Sequence, residues 1–420
     1  MSFRGRLEDL EREGTPIRVG LVGAGQMGRG LIAQVGDIPG MEVVAAADVD
    51  LERALGAFRE TGHEPLEGSD GRPGRPAATQ DPMDVVRSGS VDVVVEATGI
   101  VEVGARVAYE AILGGKHVVM LNVETDVTVG TTLHRMAKSV GVVYTGSAGD
   151  EPGAILELYD FARSLGFEVL VAGKGKNNPL DPFADAKSVD EEAQKKGMNP
   201  KMLASFVDGT KTMVEMAAVA NATGLAPDVP GMHGPEETVP DRLVNVYSLR
   251  EDGGVLSGYG AVDYVRGVAP GVFVIVRSPN GPVRQTLEYL GQGAGPNHVF
   301  YRPYHLTSLE TPISVARAAI YGEPTIVCGS SPTSEVVAVA KRNLMVGDEL
   351  GSVGSADYYG WLYEASEAAG MLPLGLAAGA RITQTVVRGQ PIPRSGAELA
   401  EDSFVASLRR LQETSQDGNH

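Results

Sequence analysis

Two groups of residues in this 420-residue chain have types and spacings suited to chemistry. The first is a set of glycines. Gly23, Gly25 and Gly28 form G-x-G-x-x-G directly after the apolar run Ile17–Val22 and before a helical pattern carrying Leu31, Ile32 and Val35. Gly23 permits the tight turn, Gly25 lets backbone approach a pyrophosphate, and Gly28 lets helix and strand pack closely. The N–H groups at the helix start, from Gln26 and Met27 onward, meet the negative charge. A second apolar run, Met41–Ala47, ends at Asp48, near the spacing of the acid that binds the adenosine ribose hydroxyls. Asp48 and Asp50 repel a 2′-phosphate and so favour NAD, while Arg53, a nearby cation, leaves NADP open. The expected cofactor-binding residues are therefore Gly23, Gly25, Gln26, Met27, Gly28 and Asp48, joined by Thr98, Gly99 and Asn122 at later strand ends.

The second group is cationic. Seven of the ten lysines fall between positions 174 and 211 of a chain whose net charge is −18, a distribution that draws a small anionic substrate to one segment. Lys174 and Lys176 stand in Gly173-Lys174-Gly175-Lys176-Asn177-Asn178-Pro179, read as a basic loop after a strand at 167–172. Asp208, Lys211 and Glu215 share one face of a helix expected over 202–222. Such a triplet is commonly a solvated salt-bridge face. Here the helix is apolar nearly all round, so the stripe is expected to line a cleft.

These residues are positioned by an alternation of strands and helices. Apolar runs at 91–96, 117–121 and 142–145, separated by helical patterns, predict a parallel sheet with ligands at its C-terminal strand ends. Residues 61–80 read as a surface loop. Further β-like stretches at 243–249, 262–266, Val272–Arg277, 287–290 and 298–301 predict an antiparallel sheet, after which a helix at 312–321 returns to the cofactor domain and brings His305 to the cleft. A structural, hydrogen-bonded His305 is the competing reading. Residues 325–396 read as a compact β module with a helix inserted at 361–369, then an amphipathic helix and a disordered tail at 415–420. The fold class is α/β: an N-terminal parallel dinucleotide-binding domain at 1–152, a central α+β substrate and oligomerisation domain at 153–324, the small β domain at 325–396, and a C-terminal helix and tail at 397–420.

Composition narrows the function classes. The acidic balance argues against nucleic acid or an anionic membrane as partner. No apolar run reaches membrane-spanning length, which makes the cytoplasm the default expectation. One cysteine, Cys328, excludes an internal disulfide and is expected in a buried strand. A homo-oligomer, dimer or tetramer, is the default assembly.

Several stretches carry a resemblance: Gly173 to Leu180, Gly197-Met198-Asn199-Pro200, Asp208 to Met216, Gly231-Met232-His233-Gly234-Pro235 and Arg302-Pro303-Tyr304-His305-Leu306. In these the chain resembles homoserine-dehydrogenase-like oxidoreductases with a C-terminal SAF domain, and within them the deoxyxylulose-phosphate reductoisomerase-like branch, whose relatives include oxidoisomerases of branched sugar acids. The resemblance covers nearly the whole chain. It implies NAD(P)-dependent reduction coupled to a carbon-skeleton rearrangement, with NADPH expected for that branch. Homoserine dehydrogenases usually carry Ala-Asn-Lys where this chain has Leu121-Asn122-Val123.

The expected catalytic residues are Lys174, Lys176, Asn178, Asp208, Lys211, Glu215 and His305. Lys174 and Lys176 hold an anionic group or polarise a carbonyl, Asn178 orients an oxygen, and Lys211 acts as general acid between Asp208 and Glu215. The reading requires the lysine-bearing helix and basic loop to overhang the nicotinamide. Asp208, Glu215, Asp150 and Glu151 alternatively hold Mg²⁺ or Mn²⁺, although no ligand spacing is diagnostic and no metal residue is assigned. Simple homoserine-type alcohol oxidation and a non-catalytic dinucleotide sensor are the alternatives.

Overall fold

The computed structural model describes residues 2–417. The chain forms two compact units, one comprising residues up to 153, 306–328 and those from 407 onward, the other 154–305 and 329–406. The fold is α/β, as expected.

In the first unit, seven parallel strands form one sheet. From one edge they run Leu66–Glu67, Ala77–Thr79, Met41–Ala47, Ile17–Val22, Val93–Glu96, His117–Met120 and Tyr144–Gly146. Apart from the outermost strand this is the doubly wound order, with its topological switch between Ile17–Val22 and Val93–Glu96. Val19, Leu21, Val93, Val95 and Val119 are buried because helices cover the sheet, which explains their continuous apolar character. The segment 61–80 is not merely a surface loop: it adds two short strands at the sheet edge. Chain from beyond residue 305 completes this unit. Helix Thr311–Ala316, continued by a π turn at Arg317–Tyr321, packs Val315 and Ala316 into the core against helix Gln26–Gly36. Helix Phe404–Asp417 docks through Gln412, whose Oε1 accepts from the Thr132 amide at 3.2 Å. That helix replaces the expected disorder through Asp417, and residues 418–420 lie outside the described residues. Cys328 is buried, but in a loop and not in a strand.

In the second unit the sheet is mixed and not antiparallel. Its order is Asn297–Arg302, Val272–Arg277, Glu168–Lys176, Ala261–Arg266, Ala226–Pro227. Ala261–Arg266 runs parallel to both of its neighbours, while Val272–Arg277 is antiparallel to both of its own. Two β-like stretches are helical instead: 243–249 contains helix Leu243–Val246, and 287–290 lies largely within helix Gly281–Tyr289. Short apolar runs do not distinguish the two periods.

Helix Thr210–Thr223 lies between this sheet and a two-stranded sheet, Ser334–Ala340 with Tyr358–Glu364. It is buried on nearly every side, as its all-round apolar character requires. Thr210 Oγ1 accepts from the Gly360 amide at 2.8 Å and Asn221 Oδ1 from the Thr333 and Ser334 amides, tying both helix ends to the C-terminal β module. Trp361, expected at the start of a helix, sits mid-strand opposite Val337.

Candidate functional site

The glycine turn of the first unit has the conformation its chemistry requires. Gly23 has φ +99°, where a Cβ would meet the Ala97 carbonyl at 2.8 Å, and a Cβ on Gly28 would lie 2.0 Å from the Gly23 oxygen. Gly25 faces open space, with nothing within 4 Å of its Cβ direction. The helix Gln26–Gly36 starts there, with Gln26 and Met27 exposed in its first turn. Asp48, buried at the end of its strand, accepts from the Ala24 amide at 2.9 Å and the Asp50 amide at 2.9 Å, and Arg53 approaches to 3.3 Å. The carboxylate therefore shapes the glycine turn as well as presenting negative charge beside it. These residues fit a dinucleotide: an unobstructed backbone, a helix N-terminus and an acid at the second strand end.

The neighbouring strand ends at Glu96, which is fully buried. Its Oε1 accepts from the Thr98 amide at 2.9 Å and from the Thr98 hydroxyl, while Oε2 is buried without a hydrogen-bond partner. Gly99, with φ +68°, continues the turn into solvent. Asn122 is buried and caps helix Val123–Val140, accepting from the Thr125 amide at 3.1 Å and donating to the Ile100 carbonyl at 3.2 Å. Burial pushes the Glu96 carboxyl up to about 7, against the lowering effect of its Thr98 bonds. An acid raised in the folded state destabilises once the unfolded chain can ionise, so stability falls as pH rises from its ordinary value of 4.5 to about 7 and is level above that. The loss is on the order of 3 kcal/mol. Asp126, raised to about 6 by burial, acts in the same direction. Glu96→Gln should therefore gain melting temperature relative to the parent at pH 8 and show little gain at pH 5. A difference independent of pH would reject the assignment.

The second unit collects the cationic residues. Gly173–Lys176 is not loop but the end of strand Glu168–Lys176, so Lys174 and Lys176 are held on rigid backbone and buried. The expected helix over 202–222 is two helices, Pro200–Val207 and Thr210–Thr223, broken at Gly209 with φ +89°. Asp208 accordingly caps the first helix and does not share a face of the second. Its carboxylate accepts from Lys341 Nζ at 2.8 Å, a residue of the C-terminal β module, and from the Thr210 amide at 2.8 Å. Glu215 takes an ion pair from Lys174. Lys211 is half-buried in the first turn of Thr210–Thr223. Burial pushes the Asp208 carboxyl up even with Lys341 against it.

Lys176 differs from its neighbours. Its ammonium donates to the Phe206 carbonyl at 2.7 Å and, among the described residues, has no carboxylate partner. Burial, then repulsion from Lys174, brings it down to about 8. Asn178 is half-buried just past the strand, and His305 is half-buried in the loop after Asn297–Arg302. The tertiary structure thus gathers Lys174, Lys176, Asp208, Glu215 and the unanticipated Lys341. Lys341 has no local signal, since a lysine closing the apolar run Ser334–Ala340 reads as an ordinary exposed strand end. As a ligand for Mg²⁺ or Mn²⁺, Asp208 fits poorly: it already holds the Lys341 ammonium, which a metal would have to displace.

Residues 149–311 match the family described as "Oxidoreductase DRL, catalytic domain". No curated protein matches the chain. Among solved structures, a probable dehydrogenase from Thermotoga maritima is 14% identical, covering 74% of this chain and 91% of its own with a TM-score of 0.44. A homoserine dehydrogenase from Thiobacillus denitrificans is 20% identical over 77% of this chain and 83% of its own, TM-score 0.44. A putative myo-inositol dehydrogenase from Sinorhizobium meliloti is 13% identical over 73% and 90%, TM-score 0.40.

Proposed function

We propose that the chain is an NAD(P)-dependent oxidoreductase that reduces a small anionic, sugar-derived carbonyl compound, and that reduction is coupled to rearrangement of its carbon skeleton. The observation that carries the reading is Lys176, a buried ammonium hydrogen-bonded to a carbonyl and not to a carboxylate, held on a strand beside a second lysine. A buried cation without an acid partner is costly in a purely structural role. In a site it supplies charge for an anion and a proton for an oxygen. The match of residues 149–311 to an oxidoreductase catalytic domain supports the same assignment.

The first unit would hold the cofactor through the open backbone at Gly25, the helix start at Gln26 and Met27, Asp48, and the Thr98–Gly99 turn. The nicotinamide supplies the hydride. Asp48 favours NAD over NADP, because a 2′-phosphate would face its carboxylate. Lys174 and Lys176 hold the substrate's anionic group, and Lys176 protonates the oxygen that gains charge. The C-terminal module, which we read as SAF-like, contributes Lys341 as the counter-charge of Asp208. A homo-oligomeric, cytoplasmic enzyme is consistent with this reading.

The test is cofactor consumption with NADH or NADPH and a panel of deoxyxylulose phosphate, 3-oxo sugar acids and homoserine, the last assayed with the oxidised cofactor. Turnover of a phosphorylated or carboxylated sugar derivative is the expected result. Activity confined to homoserine would favour plain alcohol oxidation. Tight NADH binding with no turnover across the panel would leave a sensor. Gly25→Val should keep the melting temperature, since its Cβ direction is open, yet lose at least ~100-fold in NADH affinity, about 2.7 kcal/mol. Unchanged affinity in that variant would remove the cofactor assignment.

A further inference from the structure

The Glu96 carboxyl holds a turn, and it does so without a counter-charge. Its Oε1 accepts from both the amide and the hydroxyl of Thr98, and Thr98 Oγ1 in turn accepts from the Ile100 amide at 3.2 Å. The Ile100 carbonyl accepts from the Asn122 side chain at 3.2 Å. One carboxyl thus anchors the whole connection between strand Val93–Glu96 and helix Val101–Leu113. Its other oxygen, Oε2, is buried without a hydrogen-bond partner among the described residues. Thr125 Oγ1, the Asn122 side-chain nitrogen and Glu96 Oε2 lie 2.4, 2.7 and 3.1 Å from the point where Gly104 would carry a Cβ. The missing side chain leaves a small polar space beside the free oxygen. A proton on Oε2 enters that space, and Oε1 keeps both Thr98 contacts in either protonation state.

The charged groups around this carboxyl are of its own sign. Glu124 repels it from helix Val123–Val140, and Tyr144 faces it from the edge strand Tyr144–Gly146 with Asp126 beside the phenol. No cation pairs with Glu96 among the described residues. Burial without positive charge favours the neutral acid, and the group stands at about 7.

The turn that Glu96 holds is also a wall of the glycine turn. Glu96 lies opposite Val22 in the sheet, and a Cβ on Gly23 would meet the Ala97 carbonyl at 2.8 Å and the Thr98 nitrogen at 3.0 Å. The same Thr98 nitrogen donates to Glu96 Oε1 at 2.9 Å, so one peptide unit touches both the glycine turn and the carboxyl. A diphosphate seated on the amides that follow Gly23 brings negative charge against this peptide. Like charges on its two sides repel strongly where water is scarce.

We propose that Glu96 is a positioning residue that takes up a proton when the dinucleotide binds, so that the Thr98 turn stays in place while the charge behind it is removed. The inference rests on the cofactor assignment to the first unit. Water supplies the proton, Oε2 receives it, and no bond of the cofactor changes. The bound state then holds more protons than the free state. Affinity is therefore level below about 7, falls as pH rises from there to the higher value of the bound state, and is level again above it.

The test is calorimetric titration of the full chain with NADH in pairs of buffers that differ in ionisation enthalpy, from pH 6.5 to 8.5. The parent should take up protons on binding near pH 7.5, and its Kd should rise above pH 7 by up to ~10-fold per pH unit, the limit for one proton. Glu96→Gln, a neutral isostere, should bind at pH 8.5 as the parent binds at pH 6.5 and should lose that share of the uptake. The readout is the difference between the two proteins, to which Lys176 contributes equally. Equal uptake in both, or a parental Kd level from pH 6.5 to 8.5, overturns the proposal while the cofactor assignment stands. Should Glu96→Gln not fold, infrared difference spectra of the parent with isotope-labelled glutamate decide the matter. NADH should convert a carboxylate band into a carboxylic-acid band, and no conversion overturns the proposal. A parent that binds neither NADH nor NADPH removes the cofactor assignment, and the proposal with it.

Discussion

Replacing Lys176 by methionine should reduce carbonyl-reducing turnover by at least ~100-fold, the lower range for loss of a proton donor. Methionine retains much of the stem's packing, so the effect isolates the ammonium. The parent's pH profile provides a second, independent check. Burial and then Lys174 bring the Lys176 ammonium down to about 8, with Glu215 and Asp208 pulling it back up. As a proton donor it is competent below that value, so reduction should hold level toward neutrality and decline as pH rises past about 8. The reverse oxidation, which needs the neutral amine, should rise over the same interval. A reduction profile level from pH 7 to 9.5, or a Lys176→Met variant that keeps the parental profile at reduced amplitude, would show that another group carries the proton. Initial rates at saturating cofactor settle the matter once a substrate is in hand.

Lys341→Ala should destabilise the second unit by about 3–5 kcal/mol, because it leaves the carboxylate of Asp208 buried without its counter-charge. The Lys341 side chain is 2% exposed and that of Asp208 0%, so water cannot replace the missing ammonium. Lys341 also donates to the Ser355 carbonyl at 2.9 Å, a second partner orphaned by truncation. The double variant Lys341→Met/Asp208→Leu should recover most of the loss, since replacing both charges by apolar groups removes the desolvation penalty together with the attraction. Denaturant unfolding of the parent, both single variants and the double variant gives the coupling directly. A Lys341→Ala variant within about 1 kcal/mol of the parent would mean that the pair is solvated in solution.

The extent to which the sequence reveals this protein depends on whether the deciding interactions are local. The glycine turn is legible because each glycine answers a constraint set by its immediate neighbours, and the alternation of strands and helices locates the parallel sheet. The identity of the lysines, their segment and the buried character of helix Thr210–Thr223 are legible for the same reason. What fails is what distant chain decides. The apolar period runs on through Asp208 and Gly209, so nothing in the spacing marks the break that separates Asp208 from Lys211 and Glu215. Tyr358–Glu364 is a strand because Ser334–Ala340 supplies its backbone partners, although the residues following Trp361 read as helix formers. Lys341 reaches Asp208 across 133 residues, and Glu215 finds Lys174 across 41. Pattern and composition determined which side chains were available for chemistry. Only the packing of the β module and sheet around one helix decided which charges face each other, because the cost of burying a charge is met by whichever opposite charge the fold brings near.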